Sequence, residues 1–362
     1  MTMAAVFVND TVNFKVNQNS YCLQIGMVTI LLSVAFCYFN IMLYVLGGNN
    51  LKFGKLIILL SAFFIITACS NTNDEKNAEI KIYTTVYPLQ FLVEEIAGDT
   101  IDVDTVYPPG VDEHTYEPTS KELTAISDGD AFFYIGAGLE AFASTAADAL
   151  ANQNVKMIEI GQHEDLFLHN DDHEHSEDDG HDHHGHDHGD IDPHIWLDPL
   201  RMIDIAYIIK DELINMHPED KTLYEENLKN LEAELIDLDD AFQQLIDTKA
   251  NKKMLVTHAA FGYWQDRYHI EQIAIHGLST ETEPSQKELI SIIDTANEHE
   301  LKHIIFEQNV TTRVSEVIRE EIDAEPLKIH NLSVQTDEDI KEGRDYLSIM
   351  RDNLEVLDEA MH

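Results

Sequence analysis

The stretch EDKTLYEENLKNLEAELIDLDDAFQQLID, residues 219 to 247, decides the architecture. Leu228, Leu231, Leu235, Leu238, Phe242 and Leu245 recur at alternating spacings of three and four, the signature of one amphipathic helix. At 1.5 Å per residue it reaches roughly 40 Å. A helix of that length either braces two domains side by side or runs along the surface of one; periodicity alone allows both.

What lies on either side favours two halves. Upstream, strand-like runs at Ile80 to Val86, Ile101 to Val106, Ala131 to Ile135 and Val155 to Ile160 alternate with helical patterns. Downstream, Met254 to Thr257, Ile270 to Ile275, His303 to Phe306 and Leu327 to Ile329 do the same, with helices over Ser285 to Glu298 and Ile340 to Ala360. The expected fold class is α/β, two (β/α) domains, 78–218 and 249–362, joined by the helix 219–248. Thr119 with Glu122 and Ser285 with Glu288 fit capping boxes, and Asp198 before Pro199 fits an N-cap with proline at the first helical position.

The chain carries 23 basic and 67 acidic residues, a formal charge of -44. Nucleic acid is excluded as a partner, because phosphate binding needs basic patches; cations are the natural guests. Cys22, Cys37 and Cys69 all precede the globular part, which therefore has no thiol for a disulfide, a thiolate metal site or nucleophilic catalysis. Any metal there must use His, Asp or Glu.

Residues 51 to 71, LKFGKLIILLSAFFIITACSN, place lysines before an apolar run that ends at Ile66-Thr67-Ala68-Cys69, the pattern of a secretory signal peptide. The run is short for a membrane span. It resembles a bacterial lipobox, which implies lipidation of Cys69, a leader over 51–68, a tether over 69–77 and a protein anchored outside the cytoplasm. Upstream, Gly26 to Leu46 is also apolar. The run Gly47-Gly48-Asn49-Asn50-Leu51 fits codons for a ribosome-binding element followed by an alternative start, so residues 1 to 50 are expected to lie upstream of the translated protein; codons incompatible with GGAGG overturn that reading.

One segment is compositionally foreign. His163 to Asp190 holds nine of the 19 histidines among Asp, Glu and Gly. It cannot build a core and reads as a low-affinity metal collector without fixed geometry.

Three strings each centre on one histidine: GVDEHTYEP at 110–118, DPHIWLDP at 192–199 and VTHAAFGYW at 256–264. A lone histidine of this kind is more often structural than a ligand, and spacing does not bring distant loops together. In this order, however, the strings resemble the metal-binding segments of the solute-binding lipoproteins that serve ABC transporters for zinc and manganese, the cluster A-I family. The resemblance runs over about residues 78 to 361 and includes GLSTETEPS at 277–285, FEQN at 306–309 and DEDIKEGRDYLSIMRDNL at 337–354.

That resemblance implies two domains on a rigid helix with metal in the cleft between them, held by His114 and His194 from the first and His258 from the second. It also implies a permease and its ATPase as partners, and a monomer. Manganese members generally carry Glu where this chain has His258, and three imidazoles suit tetrahedral zinc, whereas manganese prefers more oxygen donors. Relatives often place a Glu where Ser333 stands, so the fourth donor is open among water, Glu113, Glu307 and Asp337; of the side chains Glu113, beside His114, is the best candidate, with a structural cap as its alternative role. Two other functions compete: a zinc hydrolase, for which no HExxH, GxSxG or phosphate loop is present, and adhesion to host matrix proteins.

Overall fold

The structure is a computed structural model that describes residues 80–361 apart from 151–152, 170–190, 280–283 and 310–312. The leader, Cys69, the tether and most of the histidine-rich segment lie outside the described residues.

The first half runs β1 (Ile80–Thr84), α1 (Tyr87–Ala97), β2 (Ile101–Thr105), α2 (Ser120–Ser127), β3 (Ala131–Tyr134), α3 (Ala143–Leu150) and β4 (Lys156–Glu159). β5 (Leu168–His169) pairs antiparallel with β6 (Ile191–Asp192), which closes the base of the histidine-rich segment. Then come α4 (Pro199–Met216) and α5 (Lys221–Asp247). The second half runs β7 (Lys253–His258), α6 (Gly262–Tyr268), β8 (Glu271–His276), α7 (Gln286–Glu298), β9 (His303–Glu307), α8 (Arg313–Glu321), β10 (Glu325–Ile329), α9 (Asp337–Glu342) and α10 (Tyr346–Ala360).

Two parallel four-stranded sheets result, ordered β2-β1-β3-β4 and β10-β9-β7-β8. Within its own half each has the order second, first, third, fourth. The direction in which successive strands are added therefore reverses between the first and third strands, β1 and β3 in one sheet, β7 and β9 in the other. In such sheets ligands bind beyond the carboxyl ends of the strands at this switch point.

Helix α5 has 27 residues, about 40 Å of rise. Its buried seam is Tyr224, Leu228, Leu231, Leu235, Leu238, Phe242 and Ile246. It packs on α1 and α4 from the first half and on α6 and α10 from the second. The seam ends on Ile246 instead of Leu245, which is half-buried; after Phe242 the four-residue step points inward, and Phe242 stacks on Tyr268 with centroids 5.3 Å apart. The helix starts two residues later than the periodicity suggests, because Pro218–Asp220 forms a 3-10 turn.

Both expected capping boxes form, and Asp198 caps α4 through the amides of Leu200 and Arg201. One expectation fails. Ile340 to Ala360 is not a single helix: Gly343 takes φ 66° and ends α9, and Asp345 opens α10 with its own capping box. A left-handed glycine followed by an Asp cap stops a helix wherever the apolar spacing runs on.

Candidate metal centre

His114 sits in the loop between β2 and α2. Tyr107 OH donates to the Glu113 carbonyl at 3.1 Å, and Asp112 Oδ1 accepts from the His114 amide at 2.9 Å. The Asp112 carbonyl accepts from the amides of Thr115 and Tyr116, and the Tyr116 ring packs edge-on against Tyr107. Short polar side chains that satisfy their own downstream amides make such turns stiff.

The same device recurs at His194. Asp192 Oδ1 accepts from the His194 amide at 3.0 Å and also lies 2.8 Å from His194 Nδ1. A 3-10 turn over Ile195–Leu197 then leads into the capped start of α4.

His258 is the last residue of β7. Glu307, the last of β9, places Oε1 2.5 Å from His258 Nδ1 and 2.8 Å from the donating Thr257 Oγ1. Asn331 Nδ2 donates to Glu307 Oε2 at 2.7 Å.

All three histidines are buried, and their rings meet in one place. His194 Nε2 lies 3.3 Å from His114 Nε2 and 3.4 Å from His258 Nε2, and one ligand nitrogen from each residue falls within 4.8 Å of the other two. Three nitrogens around a tetrahedral zinc at about 2.0–2.1 Å would be separated by about 3.3–3.4 Å. The spacing is thus that of a metal's coordination edge.

Tautomers point the same way. With the Nδ1 hydrogens of His194 and His258 directed at Asp192 and Glu307, their Nε2 atoms face each other as bare lone pairs. A cation relieves that repulsion, and a carboxylate on the remote nitrogen is the usual support for a metal-bound imidazole. Burial, with His194 and His258 alongside, pushes the His114 pKa down to about 2 and keeps that ring neutral. At His258 burial also pulls downward, but the Glu307 carboxylate outweighs it and the net direction is up.

Among the described residues the donor cluster consists of the three histidines. Glu113 is buried, and its Oε1 accepts from Asn331 at 3.0 Å while Oε2 faces Ser333 Oγ at 2.8 Å. Glu307 is engaged with His258. Asp337 lies exposed in the first turn of α9. Ser333 is buried beside Glu113.

Sequence reasoning missed Asp192 and Asn331 and gave Glu307 no orienting part. A signal for the first was present: Asp-x-His occurs as Asp112-Glu113-His114 and again as Asp192-Pro193-His194. Nothing local marks Asn331, whose carboxylate partners Glu113 and Glu307 are remote in sequence.

Comparison with known proteins is consistent across sequence and structure. A family model described as zinc-uptake complex component A, periplasmic, matches residues 82–360. The zinc-binding lipoprotein AdcA of Streptococcus pneumoniae is 32% identical over 306 residues, 84% of this chain and 60% of that protein. The chain thus spans about 60% of the length of the first curated relatives it matches. The high-affinity zinc uptake system protein ZnuA of Bacillus subtilis is 30% identical over 315 residues, 86% of this chain and 98% of that protein. The crystal structure of the Zn(II)-bound ZnuA-like domain of S. pneumoniae AdcA superposes with a TM-score of 0.62 at 29% identity, covering 78% of this chain and 99% of the domain.

Proposed function

We propose, from the premise that this chain belongs to the periplasmic zinc-uptake complex component A family, that it captures Zn2+ outside the cytoplasm and delivers it to a membrane ABC permease and its ATPase for import. The observation that carries this reading is the meeting of three buried Nε2 atoms at 3.3 and 3.4 Å, with carboxylates on the far side of two of the rings. His114, His194 and His258 hold the ion as cargo, and water takes the fourth position.

The rest of the chain fits delivery. Cys69 carries the lipid that keeps the monomeric protein at the outer face of the membrane, and the histidine-rich segment 163–190 gathers metal. The family is one of metal-binding transport proteins rather than enzymes, and capture followed by release needs no general base beside the ion.

A crystal of the zinc-loaded protein measured at the zinc absorption edge tests the site directly. One strong anomalous peak equidistant from the three Nε2 atoms is expected; a peak elsewhere in the folded region overturns the assignment. For the function, a deletion strain should grow poorly only when zinc is chelated. Normal growth under chelation contradicts uptake.

A further inference from the structure

His194 arrives in sequence with the first sheet, yet its segment is fastened to the second half of the molecule. Tyr263 OH donates to the Asp192 carbonyl at 2.8 Å, Trp264 Nε1 to the Leu197 carbonyl at 2.7 Å and Tyr346 OH to the Trp196 carbonyl at 2.7 Å. Arg267 Nε donates to Asp198 Oδ1 at 2.7 Å, and Trp196 Nε1 returns a bond to the Asn331 carbonyl at 2.7 Å. Moving His194 away from His258 breaks all of these together. The two imidazoles are a seat built on one body.

His114 is held differently. Its loop is anchored in the first half by Tyr107, and its ties to the second half include those of the Val111 carbonyl and the Glu113 side chain. Asn309 Nδ2 donates to the Val111 carbonyl at 2.7 Å and lies 3.4 Å from Glu113 Oε2. Asn331 and Ser333 supply the other donors, at 3.0 and 2.8 Å.

The turn that carries them is made for this. Leu332 between them adopts φ 63°, a left-handed conformation uncommon for a branched residue and kept only where surroundings enforce it. Here the Leu332 amide donates to His330 Nδ1 at 2.9 Å, while Asn353 accepts from the His330 amide and donates to its carbonyl. The result aims Asn331 and Ser333 together at one buried carboxylate. Asn331 Nδ2 is shared between Glu113 and Glu307, so the turn that receives Glu113 also touches the group that orients His258.

We propose that the Asn331–Ser333 turn is a latch that receives the Glu113 carboxylate and thereby seats the adjacent His114 against His194 and His258, with Glu113 a positioning residue rather than a fourth zinc ligand. Both Glu113 oxygens meet the latch, Oε1 through Asn331 Nδ2 and Oε2 through the Ser333 hydroxyl, whose one hydrogen is shared with Asn331 Oδ1 at 2.8 Å, and Glu113 is not a member of the donor cluster. Zinc release then begins with the loss of the Glu113 contacts and the departure of His114, while the ion stays on the two-histidine seat. This inference rests on the three-histidine site proposed above.

The test uses the full chain purified in detergent and loaded with Zn2+ or Co2+. Ser333→Ala should speed zinc release to a chromophoric chelator on the order of tenfold, the scale of one lost hydrogen bond to a carboxylate. Ser333→Thr, which keeps the hydroxyl, should restore it. Glu113→Gln should also speed release yet leave the visible Co2+ absorption bands in place, because the coordinating atoms are unchanged. Unchanged release in Ser333→Ala, or displaced Co2+ bands in Glu113→Gln, overturns the latch. Absence of Co2+ bands in the unmodified protein overturns the three-histidine site itself, which separates the two failures. Metal-free thermal melting of each variant identifies any that does not fold, and Asn331→Ala, expected to speed release like Ser333→Ala, then decides.

Discussion

Glu307 and His258 form a fully buried pair across adjacent strands, Oε1 to Nδ1 at 2.5 Å, with both residues at the carboxyl ends of β9 and β7. The carboxylate fixes which imidazole nitrogen carries hydrogen and leaves Nε2 to face the other histidines. Glu307→Gln keeps the size but presents either a neutral carbonyl or an amide donor to Nδ1. Zinc affinity should fall by about 10- to 100-fold, the usual cost of losing a partner behind a metal-bound histidine. Competition titration against a chelator of known affinity measures it, and an unaltered affinity would show that the pair does not orient the ligand.

The same pair sets a pH dependence. Burial alone would lower the His258 pKa, yet Glu307 raises it overall, so the fold favours protonated His258. Stabilisation of the metal-free protein by this ion pair is complete below the ordinary imidazole value and is lost as pH rises through the raised one. That proton occupies the place the zinc of the proposed three-histidine site would take. Zinc affinity should therefore fall with acidification, His258 contributing about tenfold per pH unit below its raised pKa. His114, held down to about 2, competes for no proton in this range. Equal affinities at pH 7.5 and about 5.5 would contradict imidazole coordination.

Asp198 joins a helix cap to a contact between the two halves. Oδ1 accepts from the Leu200 amide at 2.9 Å, the Arg201 amide at 3.3 Å and Arg267 Nε at 2.7 Å, and the residue is buried. Asp198→Ala should cost roughly 2–4 kcal/mol, a lost N-cap together with a lost charge-assisted hydrogen bond. Asp198→Asn, which can still cap, should lose less. Thermal or denaturant unfolding of metal-free protein decides, and equal stability of the two variants would mean that only the ion pair matters.

How far the residues announced this structure depends on range. The α5 spacing, the capping boxes at Thr119 and Ser285, and the proline after Asp198 are local signals, and each element forms, α5 starting two residues late and ending its seam on Ile246 instead of Leu245. Helix ends were less legible: the apolar spacing from Ile340 onward continues across Gly343, whose left-handed backbone ends α9. The meeting of the histidines is not a local property at all. His114 and His194 are 80 residues apart and His194 and His258 are 64 apart, so only sheet order and the docking of DPHIWLDP against α6 and α10 bring them together. Resemblance supplied the three ligands as a set; it did not supply Asn331, whose partners Glu113 and Glu307 lie 218 and 24 residues away.

Gly262 offers a test of the His194 support that touches no ligand. A Cβ at this position would stand 2.3 Å from Asp192 Oδ2, a distance that forces something to move. Asp192 has little room to give: it is buried, its Oδ1 holds both the amide and Nδ1 of His194, and its carbonyl accepts from Tyr263. Gly262→Ala should therefore turn the carboxylate away from His194 Nδ1 and weaken zinc binding by about tenfold, at the lower end of the effect of removing a partner behind a ligand. Asp192→Asn, with the glycine intact, should weaken binding by a comparable factor, and adding Gly262→Ala to it should cost little more, since the two changes act on one contact. Full additivity in the double variant would show that Gly262 serves α6 packing and not the orientation of His194.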